Sequence, residues 1–229
     1  MTEQDPAPAV ADERSARPEA DPDHEKKRGR LELAAVIVLA VTAVLTAWSG
    51  FESSKWRGEM SISFSRASSA RIEASRFDAA ADAARGIDLD TFTLWLEAYA
   101  NEDELLLTFT QERFTDHFAV AFDAWIATQP LKNPDAPKSP FAMAEYQPPG
   151  LAEAEEADAR ADARFQQALI NNQRADNYTL LTVLFALVLF FTAVSQRLRS
   201  PRLGAVTLGG ATVLLFMGIG FLISFPKIF

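Results

Sequence analysis

Apolar residues fall along this chain in two patterns. Three long runs are unbroken, and between them sparse stripes of small residues recur at helical spacing. The unbroken runs are Leu33–Phe51, Tyr178–Ser195 and Leu203–Phe225, and none contains a charged side chain. Each, when helical, matches the thickness of a hydrocarbon core, so all three are expected to cross a membrane. The spans are placed at 31–51, 177–196 and 203–225, with a loop at 197–202, leaving 52–176 as one water-facing insert.

Within the insert the helical pattern does not stop. Trp56, Met60, Ser63, Ala67, Ala70, Ala74, Phe77, Ala81 and Ala84 alternate steps of four and three, the seam of a coiled coil. Arg85 and Gly86 supply a stop. Residues 31–85 are therefore expected as one helix of ~80 Å, at ~1.5 Å per residue. Asp88 or Asp90 would cap a second helix over 89–128, with a break at Asn101-Glu102-Asp103-Glu104 left open because that run resembles a capping box. The prolines of 129–149 predict an extended polyproline segment held against the helices by Phe141, Met143 and Tyr146. A third helix, 151–176, carries acidic residues in its first turns and the stripe Ala154, Ala157, Ala161, Phe165, Ala168, Asn172 and Ala175. It has no breaker before the second span and should run into it. The predicted fold class is all-α: three transmembrane helices and a long helical-bundle extracytoplasmic insert continuous with the first two spans.

Charge sets the orientation. Lys26-Lys27-Arg28-Gly29-Arg30 precedes the first span, and Arg197, Arg199 and Arg202 lie between the second and third. Basic short segments stay in the cytoplasm. The N-terminus is then cytoplasmic, and both 52–176 and the C-terminus are extracytoplasmic. Residues 1–30, with four prolines and eight acidic residues, are expected to be a disordered tail. Ala47-Trp48-Ser49 loosely matches a signal-peptidase site, but the apolar run is too long for a cleaved leader and an uncleaved anchor is expected. The insert holds 12 basic against 22 acidic residues, which argues against nucleic acid and against lying on anionic lipid. Arginine outnumbers lysine 16 to 6, pointing to a GC-rich bacterial genome and so to the bacterial inner membrane.

Candidate chemistry is sparse. There is no cysteine, and histidine occurs only at His24 and His117. Without a second histidine in the insert, zinc and di-iron carboxylate sites lack their usual ligands, and His117 is expected as a half-buried helix residue. The acidic runs Glu102-Asp103-Glu104 and Glu153/Glu155/Glu156/Asp158 could hold a divalent cation, but are expected as solvated faces or first-turn dipole partners. Gly204, Gly209, Gly210, Gly218 and Gly220 are expected to serve close helix packing in the third span. No catalytic residue, metal ligand or cofactor is predicted. The spans offer only threonine and serine as polar side chains, which disfavours a proton-coupled carrier.

The least bland cluster lies at the outer boundary, where Glu52, Lys55, Trp56 and Arg57 leave the first span and Arg174, Asp176, Asn177 and Tyr178 enter the second. One reading is an aromatic belt with interfacial charges. The sharper one is a coupling collar, with Asp176 meeting Lys55 or Arg57 and Glu52 meeting Arg174. The run Ala47-Trp48-Ser49-Gly50-Phe51-Glu52-Ser53-Ser54-Lys55-Trp56, with Arg174-Ala175-Asp176-Asn177-Tyr178 before a closely spaced span pair, resembles bacterial three-span membrane proteins of unknown function. The resemblance covers roughly 31–225; it implies the topology and no activity. The function expected is a non-enzymatic scaffold working through its extracytoplasmic helices, in contact with the lipid bilayer, with copies of itself or with other envelope proteins, and with no nucleic acid. The alternative is a small oligomeric channel or a regulatory subunit of a transport complex.

Overall fold

A computed structural model describes residues 22–228, with side chains from Gly29 onward. The expected disorder of residues 1–21 falls outside the described residues. Every regular element among those described is helical. They are α1 (Pro22–Ala100), α2 (Glu104–Gln111), α3 (Asp116–Ala127), a 3₁₀ turn at Pro140–Ala142, α4 (Leu151–Arg197) and α5 (Pro201–Ser224). Three helices, α1, α4 and α5, are long and apolar enough to cross a membrane. The described residues divide into two compact units: 22–51 with 178–225, and 52–177 with 226–228.

In the first unit, α4 and α5 run antiparallel. A Cβ at Gly204 would stand 3.0 Å from the Ser195 carbonyl oxygen, and one at Gly218 would stand 2.6 Å from the Phe185 ring. Tyr178 meets Phe225 edge to face at 5.7 Å. Leu208, Ala211, Leu215, Gly218 and Leu222 form the buried stripe of α5. Close packing therefore uses Gly204 and Gly218, whereas Gly209, Gly210 and Gly220 meet nothing within 4 Å.

In the second unit, the α1 segment and the start of α4 form an antiparallel hairpin. Ser53 Oγ donates to the Ala175 carbonyl, Asn171 Nδ2 to Ser63 Oγ, and Arg71 reaches Asp158 and Asp162. Each seam position from Trp56 to Ala84 is buried or half-buried. On α4 the stripe differs from expectation at two places. Phe165 is 42% exposed, and Asn171, not Asn172, turns inward at 4% exposure. Asn171 stands two heptads beyond buried Ala157, in the phase of the stripe, whereas Phe165 and Asn172 are one heptad apart in the neighbouring, exposed phase.

Three boundaries differ from those expected. The first helix begins at Pro22, inside the tail drawn to residue 30, because proline suits the first helical position. It passes through Gly86 to Ala100, so the predicted stop after Arg85 is wrong. A mid-helix glycine costs only about 1 kcal/mol against alanine. The next turns bury Asp88, Phe92, Trp95 and Ala98, which more than offsets that. The expected helix 89–128 is three pieces. α1 closes where Asn101 Nδ2 bonds the Glu97 carbonyl and Glu102 takes a φ of 55°. Asp103 then caps α2 by accepting the Leu106 N–H at 3.0 Å.

The proline segment is not extended. Lys132 and Asn133 N–H groups return to the Gln129 carbonyl, Ala136 to Asn133 and Tyr146 to Met143, forming consecutive turns. These bonds need none of the missing proline N–H groups. The turns are drawn in by an aromatic cluster of Phe92, Trp95, Phe114, Phe118, Phe122, Trp125 and Tyr146, with Phe141 and Met143 packed on it. Trp125 Nε1 bonds the Pro137 carbonyl at 2.7 Å. Residues 86–150, the tip of the helical unit, hold this cluster.

Candidate functional site

The residues predicted as a collar do not make the Glu52–Arg174 ion pair expected of them. Glu52 is wholly buried. Its Oε2 accepts the Ile228 N–H at 3.2 Å, while its Oε1 has no hydrogen-bond partner. Trp56 is buried and gives its indole N–H to the Pro226 carbonyl at 3.3 Å. Arg174 does not pair with Glu52; its guanidinium lies 4.5 Å over the Trp56 ring, a cation–π contact. Asp176 accepts from Asn172 Nδ2 and Asn177 from Gln173 Nε2, each one turn back along α4. Lys55 and Arg57 are exposed, and Tyr178 is fully buried in the span unit.

What sequence reasoning missed is that residues 226–228 complete this cluster. Two signals pointed that way: Trp56 and Glu52 sit on the buried side of α1, and Pro226 forces the chain out of α5 immediately after Phe225. Glu52 thus meets a backbone N–H and Arg174 a ring, so these two charges are held in separate partnerships.

Comparison with protein-family models, curated proteins and solved structures finds no match to this chain. Any functional reading therefore stands on geometry.

A second polar cluster, unforeseen, lies in the tip. Asp88 is wholly buried and accepts from three donors: Thr115 Oγ1 at 2.6 Å, His117 Nε2 at 2.7 Å and Tyr146 OH at 2.9 Å. The expectation had Asp88 capping a helix. It is instead a mid-helix residue seven positions beyond Ala81, where the extended seam points inward. Thr115 occupies the N-cap position of α3 without a side-chain cap bond, and its hydroxyl donates to Asp88. The single carboxylate thus ties α1, the start of α3 and the proline segment together. His117, 18% exposed at its side chain, is oriented by this carboxylate. That pairing is the geometry of a general base, yet both neighbouring hydroxyls spend their protons on Asp88. Among the described residues no group of three or more His, Cys, Asp or Glu is placed to hold a metal.

Burial, aided by the hydrogen bond to Asp88, raises the Tyr146 phenol well above the usual tyrosine value, with Arg85 pulling the other way. The folded tip thus holds this proton more tightly than the unfolded chain does. Its stabilising effect is complete below about pH 10 and is lost as pH rises beyond it. In an absorbance titration of tyrosinate, Tyr146→Phe is expected to remove the component that ionises late. Loss of an ordinary component near pH 10 would show that the network does not hold the proton.

Proposed function

We propose that this is a non-enzymatic multi-pass membrane protein whose helical unit lies outside the cytoplasm and binds other proteins through its tip. The observation that carries this reading is α2. Leu105 is 84% exposed and Phe109 51%, on a helix of only eight residues. Exposed large apolar side chains with a polar rim mark contact sites. The rim here is acidic: Glu102, Asp103, Glu104 and Glu112, with Arg113 lying 3.3 Å over the Phe109 ring. Across residues 86–150 there are 3 basic against 11 acidic side chains. An apolar centre inside an acidic rim suits a partner protein with a basic edge and is repelled by anionic lipid.

A second reading, an oligomeric channel, is favoured by one observation: within the span unit Thr42 and Thr192 are wholly buried, and the Ser49 hydroxyl is buried with no hydrogen-bond partner. The test is crosslinking mass spectrometry in native membranes on the full chain and on Leu105→Asp/Phe109→Asp. Crosslinks between tip residues and other proteins are expected to fall roughly tenfold, as for loss of a hot-spot anchor. Reconstituted double mutant that conducts ions, with unchanged crosslinks, would sink the tip reading in favour of the channel.

A further inference from the structure

We propose that the α1–α4 hairpin docks face to face with a second copy of this chain, along the groove beside Phe64 and Phe165. This deepens the reading of the helical unit as a contact surface by naming the partner of its shaft. The groove measures about 560 Å³ and is lined by Phe64, Ser68, Ile72, Ser75 and Phe165. Phe64 and Phe165 meet edge to face at 5.5 Å, yet Phe165 is 42% exposed, Ile72 54% and Leu169 44%. The cause lies in the seam. Alanine dominates the α1–α4 contact, so it brings the two backbones close but covers little of the larger side chains flanking it.

A second row of positions on α1 borders the groove through Ser68, Ile72 and Ser75. Ser61, Ser68 and Ser75 stand at steps of seven, as do Gly58, Ser65, Ile72 and Ala79, and all of them are exposed. They lie roughly 150° around α1 from the buried seam, with the same period. A helix packing there keeps the register that α4 keeps on the other side.

Charge selects a copy of the chain as the occupant. The hairpin, 52–85 with 151–176, carries 9 basic against 11 acidic residues. Of the insert's net charge of −10, −8 lies in the tip and −2 in the hairpin, so like-charge repulsion between copies is weak along the shaft. A basic partner would choose the tip. Arg71, at the groove's edge, is already held by Asp158 at 2.6 Å and Asp162 at 2.7 Å, so covering the groove strands no lone charge. The size also fits. Thirty residues of helix, 56–85, extend ~45 Å, and two helices ~9 Å apart present a face of about 800 Å², the share of each partner in a standard interface. A two-fold contact of this kind brings equal-numbered residues together near its axis.

The chain has no cysteine, so one introduced thiol is a unique reporter. Ser68 faces the groove and its exposed neighbour Ser69 points ~100° away around the helix. In membranes holding the full chain, oxidation or a bismaleimide is expected to give covalent dimers with Ser68→Cys and about tenfold fewer with Ser69→Cys. Adding Phe165→Glu to Ser68→Cys should remove the dimer while circular dichroism shows the same helix content. Equal yields from the two cysteines, or a Ser68→Cys dimer indifferent to Phe165→Glu, would overturn the proposal. Loss of this dimer with tip crosslinks to other proteins intact would overturn the copy-to-copy contact and leave the tip reading standing.

Discussion

Gly150→Ala is expected to destabilise the helical unit by about 2–5 kcal/mol, the sum of a left-handed backbone and an overpacked contact. Gly150 has a φ of 96°, and a Cβ there would lie 2.6 Å from the backbone oxygen of Phe77 and 3.4 Å from the Ala81 nitrogen. A backbone atom inside a long helix cannot rotate away as a side chain could. The same residue opens α4, its carbonyl accepting the Ala154 N–H at 2.8 Å, so any shift is passed to the first turn of that helix. Gly86→Ala is the matched control. Its Cβ meets nothing within 4 Å and it lies inside α1, so that substitution should stabilise by up to ~1 kcal/mol. Thermal midpoints and hydrogen exchange of the full chain in detergent should move in opposite directions for the two variants. Equal responses would mean that close approach is not what demands glycine at 150.

The second large effect is expected at Asp88. Asp88→Ala strands the Tyr146 and Thr115 hydroxyls and the His117 N–H inside the tip, at a cost of about 3–5 kcal/mol. Asp88→Asn should be milder, near ~1–2 kcal/mol, because one oxygen still accepts and a hydroxyl can turn to receive the new N–H. Hydrogen exchange over Asp116–Ala127 reads this locally, since α3 is held to α1 through Thr115 and His117. Combining Asp88→Ala with Tyr146→Phe should cost less than the two single changes added, since both remove one hydrogen bond. Strict additivity would show that the pair does not interact.

The parts legible in the sequence are those where one physical demand acts alone. Absence of charge marks the apolar runs, because a charge at the centre of a bilayer is costly. Trp56 to Ala84 keep their period because one partner helix covers them throughout. The tip was poorly legible because several demands compete there. Gly86 looked like a stop, yet aromatic burial ahead of it carried the helix on. Six prolines in 129–149 suggested an extended strap, yet Phe141, Met143 and Tyr146 had a core to enter. The contacts of residues 226–228 with Glu52 and Trp56 were the hardest to read, since no local pattern ties them to residues some 170 positions earlier. Asp88 was within reach: continuing the seam one heptad past Ala81 lands on it.

Among the described residues, Asn171 against Ser63 is the one pair of polar side chains that meet, both buried, in the alanine seam, at 3.5 Å. Its consequence is a rule about length. Seven residues inserted into α1 alone would slide every alanine contact beyond the insertion by one repeat and set Asn171 against an apolar position. Seven inserted into both α1 and α4 at facing points would restore the match and lengthen the hairpin by ~10.5 Å. The hairpin is therefore a ruler graduated in heptads, and evolution or design can reset its reach only by changing both of its edges together.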